Sequence, residues 1–152
     1  ITPEVNYCPM CGIDLGKLDV EKALGITIGE KDLQEYLFQG YLVKKIKIVG
    51  DHACVMKTLV PEAVDDIETF MAEHYGDKKI TNSYYQSQLA LRNLSHGIVQ
   101  WAGQHIGDTP DKRYEYLTTK VGSQLVDIMS RKWALYNRAI SHILNNPDAL
   151  KN

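Results

Sequence analysis

Tyr41-Leu42-Val43-Lys44-Lys45-Ile46-Lys47-Ile48-Val49, followed by Gly50-Asp51, is the stretch that decides how this 152-residue chain is built. Side chains alternate across a strand with period two, so Ile46 and Ile48 fall on one face and Lys45 and Lys47 on the other. The β-branched content suits a pleated, half-buried surface. Gly50-Asp51 is a turn signal, and Ala53 to Thr58 then returns antiparallel to complete a hairpin. After Leu59 the character changes. Pro61 sits where a first helical residue belongs, and Glu62, Asp65 and Asp66 place negative charge near the positive end of a helix.

That helix is expected to run to about His74, with Val64, Ile67, Phe70 and Met71 as its apolar stripe and Gly76 as its end. Asn82 or Ser83 can cap a longer helix that carries Ala90, Leu91, Leu94, Ile98 and Trp101 to about Ile106. Gly107 then breaks the chain. Thr109-Pro110 opens a short helix holding Tyr114 and Leu117, and Ser123 opens the last one. Its stripe is Leu125, Ile128, Met129, Trp133, Tyr136, Ile140 and Ile143, and Asn146-Pro147 closes it. Upstream, Leu18 to Leu24 makes one helical turn or two before Gly25. Glu30 to Phe38 suits a short helix through Leu33, Tyr36 and Leu37, although Tyr36-Leu37-Phe38 equally suits the start of a strand. The expected class is α+β: a zinc-knuckle and β-hairpin part over residues 1–59 on a mainly helical body of three or four helices over 60–152. The two parts are expected to fold as one cooperative unit.

Half of a tetrahedral zinc site stands near the N-terminus as Cys8-Pro9-Met10-Cys11-Gly12, where a tight turn points backbone amides at two sulfurs and the glycine permits a positive φ. Free thiols and a redox pair are the other readings of this spacing, the second weakened by the lack of a βαβ context. His52 and Cys54 are two residues apart in the returning strand and so project from one face, which makes them candidates to complete a Cys3His structural zinc site. The competing readings are that Cys54 is a small buried apolar residue beside a turn histidine, or that the missing ligands lie upstream. Three cysteines, an odd number, fit reduced or metal-bound thiols and an intracellular setting better than a disulfide framework. The chain starts Ile1-Thr2-Pro3 rather than with methionine, as expected of a processed terminus or of a start inside a longer chain.

Composition narrows the function. A hydrophobic share of 44% is ordinary for a globular protein, and a net charge of −2 gives no global pull toward nucleic acid or anionic lipid. No stretch approaches a membrane span. Short catalytic motifs, phosphate-binding glycine loops and helical metal motifs are missing, and His74, His96, His105 and His142 sit on separate segments. Glu62, Asp65, Asp66 and Glu68 read as a solvated helix start rather than a magnesium site. Nine tyrosines and two tryptophans against two phenylalanines is a tilt toward amphipathic aromatics, which suit interfaces with a dry centre and a wet rim. Tyr84, Tyr85, Tyr114 and Tyr116 are the candidate partner-binding residues, with other protein subunits as the expected partners.

Four segments in order, Gly40 to Ile48, Met56 to Ile67, Leu89 to Trp101 and Leu125 to Ile128, together with the closing Leu150-Lys151-Asn152, resemble small proteins of tailed bacteriophages, particularly tail or baseplate assembly and hub-associated proteins. The resemblance covers roughly residues 40–152. It implies a virion component or assembly factor without enzymatic activity, located in the virion or host cytoplasm and working through protein contacts. A zinc-dependent nucleic-acid-binding module, with the knuckle and Lys44, Lys45 and Lys47 at the contact, is the alternative from another class.

Overall fold

The computed structural model describes residues 5–7, 14–146 and 148. Two short strands, β1 (Val5–Tyr7) and β2 (Asp14–Gly16), pair antiparallel with Tyr7 opposite Asp14. Cys8 and Cys11 fall between these strands in sequence and lie outside the described residues. Helices α1 (Lys17–Leu24) and α2 (Glu30–Gln39) follow, then the expected hairpin as β3 (Val43–Val49) and β4 (His52–Lys57). The rest is α3 (Pro61–Tyr75), α4 (Asn82–Gly97), β5 (Ile98–Trp101), β6 (Gln104–His105), α5 (Pro110–Thr119) and α6 (Ser123–Asn145). The class is α+β and mostly helical, as the sequence leads one to expect.

The alternation in β3 works as its sequence dictates, with Ile46 and Ile48 buried and Lys45 and Lys47 exposed. One face of an antiparallel sheet packs on helices while the other meets water. Residues 30–39, open to either reading in the sequence, are helical. The Asp32 carboxylate accepts the Gly29 amide at 2.9 Å and so closes the first turn, and Gly40 ends the helix at φ 83°, a conformation that favours glycine.

The hairpin is not the whole sheet. Residues 98–106, expected to continue a helix, instead supply β5 and β6, which extend β3 and β4 to a four-stranded antiparallel sheet in the order β3-β4-β5-β6. The cause is local. Ile98 and Val99 are β-branched, and Ala102 and Gly103 both take positive φ, 50° and 80°, the signature of the two-residue turn whose twist matches an antiparallel pair. The cap of α4 is also one residue earlier than expected: the Thr81 hydroxyl accepts the Tyr84 amide at 3.1 Å.

The core is organised around α6, which at 23 residues is about 34 Å long. Its buried stripe, Met129, Trp133, Tyr136, Ile140 and Ile143, packs with Ile46, Cys54 and Met56 of the sheet, Leu94 of α4, and Val20 and Leu24 of α1. Three side chains of this helix reach distant backbone carbonyls. Lys132 Nζ donates to Ala23 O at 2.8 Å, Trp133 Nε1 to Lys57 O at 3.1 Å, and the Tyr136 hydroxyl to Leu42 O at 2.8 Å. A buried phenol or indole needs such a partner, so each bond also fixes how the helix is rotated against the sheet. The same core therefore draws on residues from both sides of position 60.

Candidate protein-binding surfaces

Helix α2 buries only part of its apolar content. Leu33 and Tyr36 face Ile140 and Ile143 near the C-terminal end of α6. Successive residues in a helix are about 100° apart, so three consecutive apolar residues cannot all face one neighbour. Leu37 and Phe38 are the ones left over, 69% and 95% exposed. Phe38 thus stands almost wholly in water. The sequence reading missed this pair, although the run Tyr36-Leu37-Phe38 in a ten-residue helix carries the signal.

A second surface lies where α3, α4 and α5 meet. The Tyr114 hydroxyl donates to Gln88 Oε1 at 3.0 Å and the Tyr75 hydroxyl donates to the same oxygen at 3.4 Å. Tyr84 meets Tyr75 edge to face at 6.0 Å between ring centroids, and His74 stacks on Phe70 at 3.9 Å. Burial, and then the neighbouring Tyr84 and Tyr114, hold the Tyr75 phenol above its ordinary pKa. Of the four expected partner-binding tyrosines, Tyr84 and Tyr114 come together here, and Tyr84 is 46% exposed. Tyr85 is half-buried elsewhere on α4, and Tyr116 packs against the core beside Lys120.

Two cavities open on the helical side. The larger, about 490 Å³, lies between α4, the end of α5 and the start of α6. Its lining combines apolar Ala90, Leu91, Leu117, Val121 and Val126 with Ser87, Thr118, Ser123 and Ser130 and the carboxylate of Asp127. The smaller, about 200 Å³, is polar and lined by Lys57, Glu62, Asp66, His96 and Arg113 among others. Beside it the buried Arg92 bridges to Asp111 at 2.8 Å and lies over the Phe70 ring at 3.9 Å. Burial, then the charges of Arg92 and Arg113, lower the His96 pKa, which keeps that imidazole neutral near physiological pH. This charge cluster ties three helices together.

The metal candidates separate in their surroundings. Cys54 is 0% exposed within the core, opposite Trp101 in the sheet, and burial pushes its thiol up to about 12. His52 is exposed, its ring 6.1 Å from that of Trp101. Among the described residues no group of three or more histidine, cysteine, aspartate or glutamate side chains is placed to hold a metal. Of the basic strand residues, Lys44 is bound to Asp32 at 2.8 Å, leaving Lys45 and Lys47 toward solvent. No helix among the described residues is long and apolar enough to cross a membrane. Comparison with protein families, with curated proteins and with solved structures finds no match to this chain.

Proposed function

We propose that this protein is a non-enzymatic structural or assembly component that works by docking to other protein subunits, with the tip of α2 as the main contact. The observation that carries this reading is the 95% exposure of Phe38 beside Leu37. Fully burying either side chain stabilises a contact by about 1.5–3 kcal/mol relative to leaving it in water. The tyrosine cluster around Gln88 supports the same reading, since amphipathic aromatics are enriched at interfaces. The resemblance of residues 40–152 to tail and baseplate proteins favours a phage tail as the larger complex, and virion or host cytoplasm as its place. A photo-crosslinking residue at position 38, installed in the native host and read by mass spectrometry, is expected to join to protein chains. Crosslinks to nucleic acid, or none at all in assembled material, would overturn the reading and favour a nucleic-acid module.

We also propose a structural zinc held by Cys8 and Cys11, on their spacing between paired strands β1 and β2. With Cys54 sealed in the core, the remaining ligands are assigned to residues outside the described part or to another chain. Elemental analysis of the purified chain is expected to find one zinc equivalent, lost when both cysteines are replaced by serine. Stoichiometric zinc in the double variant would refute the assignment.

A further inference from the structure

His96 occupies a place that suits its imidazole only while the ring is uncharged. It follows Arg92 by four positions, so the two lie on one face of α4, against α3 and α5. Arg92 holds both neighbours, bridging to Asp111 of α5 at 2.8 Å and lying over the Phe70 ring of α3 at 3.9 Å. Arg113 of α5 donates to Ser95 O at 2.7 Å, next to His96, and to Gly107 O at 3.1 Å. His96 lines the polar cavity of about 200 Å³ together with Lys57 from β4, Glu62 and Asp66 from α3, and Arg113. Four charges act on its ring: Arg92 from its own helix, Asp66 from α3, and Asp111 and Arg113 from α5. Its Nε2 is buried and has no hydrogen-bond partner.

A neutral imidazole carries one proton on its two nitrogens, so with the hydrogen on Nδ1 it leaves Nε2 as a bare lone pair. Imidazolium donates at both. Its Nε2–H would then be charged and enclosed without an acceptor, in the company of two guanidinium groups, and a buried charge without a partner is strongly disfavoured. The folded chain therefore favours the neutral ring, whereas the unfolded chain takes up the proton near the ordinary value of about 6.5. A group held below its unfolded value contributes stability that is complete above about pH 6.5 and is lost as pH falls toward the folded value. The loss is local, because the two guanidinium groups that the new charge repels are the ones that tie α3, α5 and Gly107 to the end of α4. We propose that His96 is an acid-sensitive latch, whose protonation weakens the Arg92 and Arg113 contacts so that α3 and the β5–β6 excursion loosen while the β3–β4 hairpin holds.

Hydrogen exchange of the purified full chain at about pH 7.5 and about pH 5.5, read as protection relative to the unfolded chain at each pH, tests this. Protection of α3 and of the amides from Ile98 to His105 is expected to fall about three- to tenfold on acidification, and that of β3 to fall less. His96→Gln takes up no proton, so the difference between the two regions should vanish. Asp66→Asn keeps the chain folded, because that side chain is exposed, and removes a neighbouring charge that favours the imidazolium, so it should enlarge the acid response. His105 also titrates nearby, bonded to Asp108 at 2.7 Å, but it lies outside the cavity, and His105→Gln should leave the response in place. An equal loss in wild type and His96→Gln, a loss shared fully by β3, a response abolished by His105→Gln, or one that Asp66→Asn leaves unchanged or smaller would each overturn the proposal. Should His96→Gln fail to fold, titration of the His96 ring by nuclear magnetic resonance decides: a midpoint below the ordinary histidine value is expected, and one at or above it would sink the latch.

Discussion

Gly97→Ala is expected to destabilise the fold by about 2–4 kcal/mol, out of proportion to the addition of one methyl group. A Cβ at position 97 would collide with Trp133 Nε1 and would stand only 2.6 Å from Cε2 and 2.9 Å from Cδ1 of the same indole. The ring has little freedom to yield. Its Nε1 donates to Lys57 O at 3.1 Å, and the side chain is only 8% exposed in the core. Overpacking of a dense interior costs about 1–3 kcal/mol, and displacing the indole from its carbonyl adds about another. Chemical denaturation should register the loss as a lower midpoint with little change in slope. A double-mutant cycle with Trp133→Phe isolates the cause, because removing the nitrogen and part of the ring relieves the collision. The two substitutions should then be less than additive, whereas additivity would show that Trp133 is not what Gly97 makes room for.

Arg113→Ala is expected to cost about 2–4 kcal/mol and to loosen one region in particular. From α5, Arg113 Nε donates to Ser95 O at 2.7 Å and its terminal nitrogen to Gly107 O at 3.1 Å. Those carbonyls lie just before and just after the β5–β6 excursion, so one guanidinium clasps both ends of it. The donor is charged and half-buried, and each such bond contributes about 1.5–3 kcal/mol. Truncation would leave two partly buried carbonyls without this donor. Lysine, with a single ammonium, cannot reproduce a two-pronged grip, so Arg113→Lys should recover only part of the loss. Hydrogen exchange of the amides from Ile98 to His105 should accelerate more than that of β3. Unchanged protection there in the alanine variant would mean that the clasp contributes nothing.

Both residues mark where sequence reading succeeded and where it stopped. The hairpin was legible because the Ile46–Ile48 and Lys45–Lys47 alternation is a local signal, and α3, α5 and α6 were legible because Pro61, Thr109-Pro110 and the stripe ending at Ile143 are local too. Residues 98–106 were misread because Ile98 and Trp101 also fit a helical stripe after Leu94. What overrides that stripe is tertiary: Gly97 must admit Trp133 from thirty-six positions away, and β4 offers a free edge to pair with. The candidate sites show the same division. An excess of tyrosine was visible in composition, yet composition is silent on which rings face inward, and Tyr85 and Tyr116 are partly covered whereas Tyr84 is open. Cys54 paired with His52 by spacing, but only packing reveals that its thiol is enclosed by the core. Leu37 reads as part of a short helical stripe and Tyr36-Leu37-Phe38 equally as the start of a strand, and neither reading exposes the pair, because the face that α2 turns to α6 is set by packing.

Helix α6 has a consequence for how the chain comes into being. Its side chains bond to carbonyls far earlier in the sequence, from Lys132 to Ala23, from Trp133 to Lys57 and from Tyr136 to Leu42, across 109, 76 and 94 positions. During synthesis every partner of this helix leaves the ribosome before it does. The nascent chain therefore holds Ile46, Met56 and Leu94 without the cover of α6 until residues 123–145 emerge. A helix made after the elements it packs on, and set at the centre of their core, turns a product stalled before it into an exposed apolar surface, the form that chaperones bind and proteases clear.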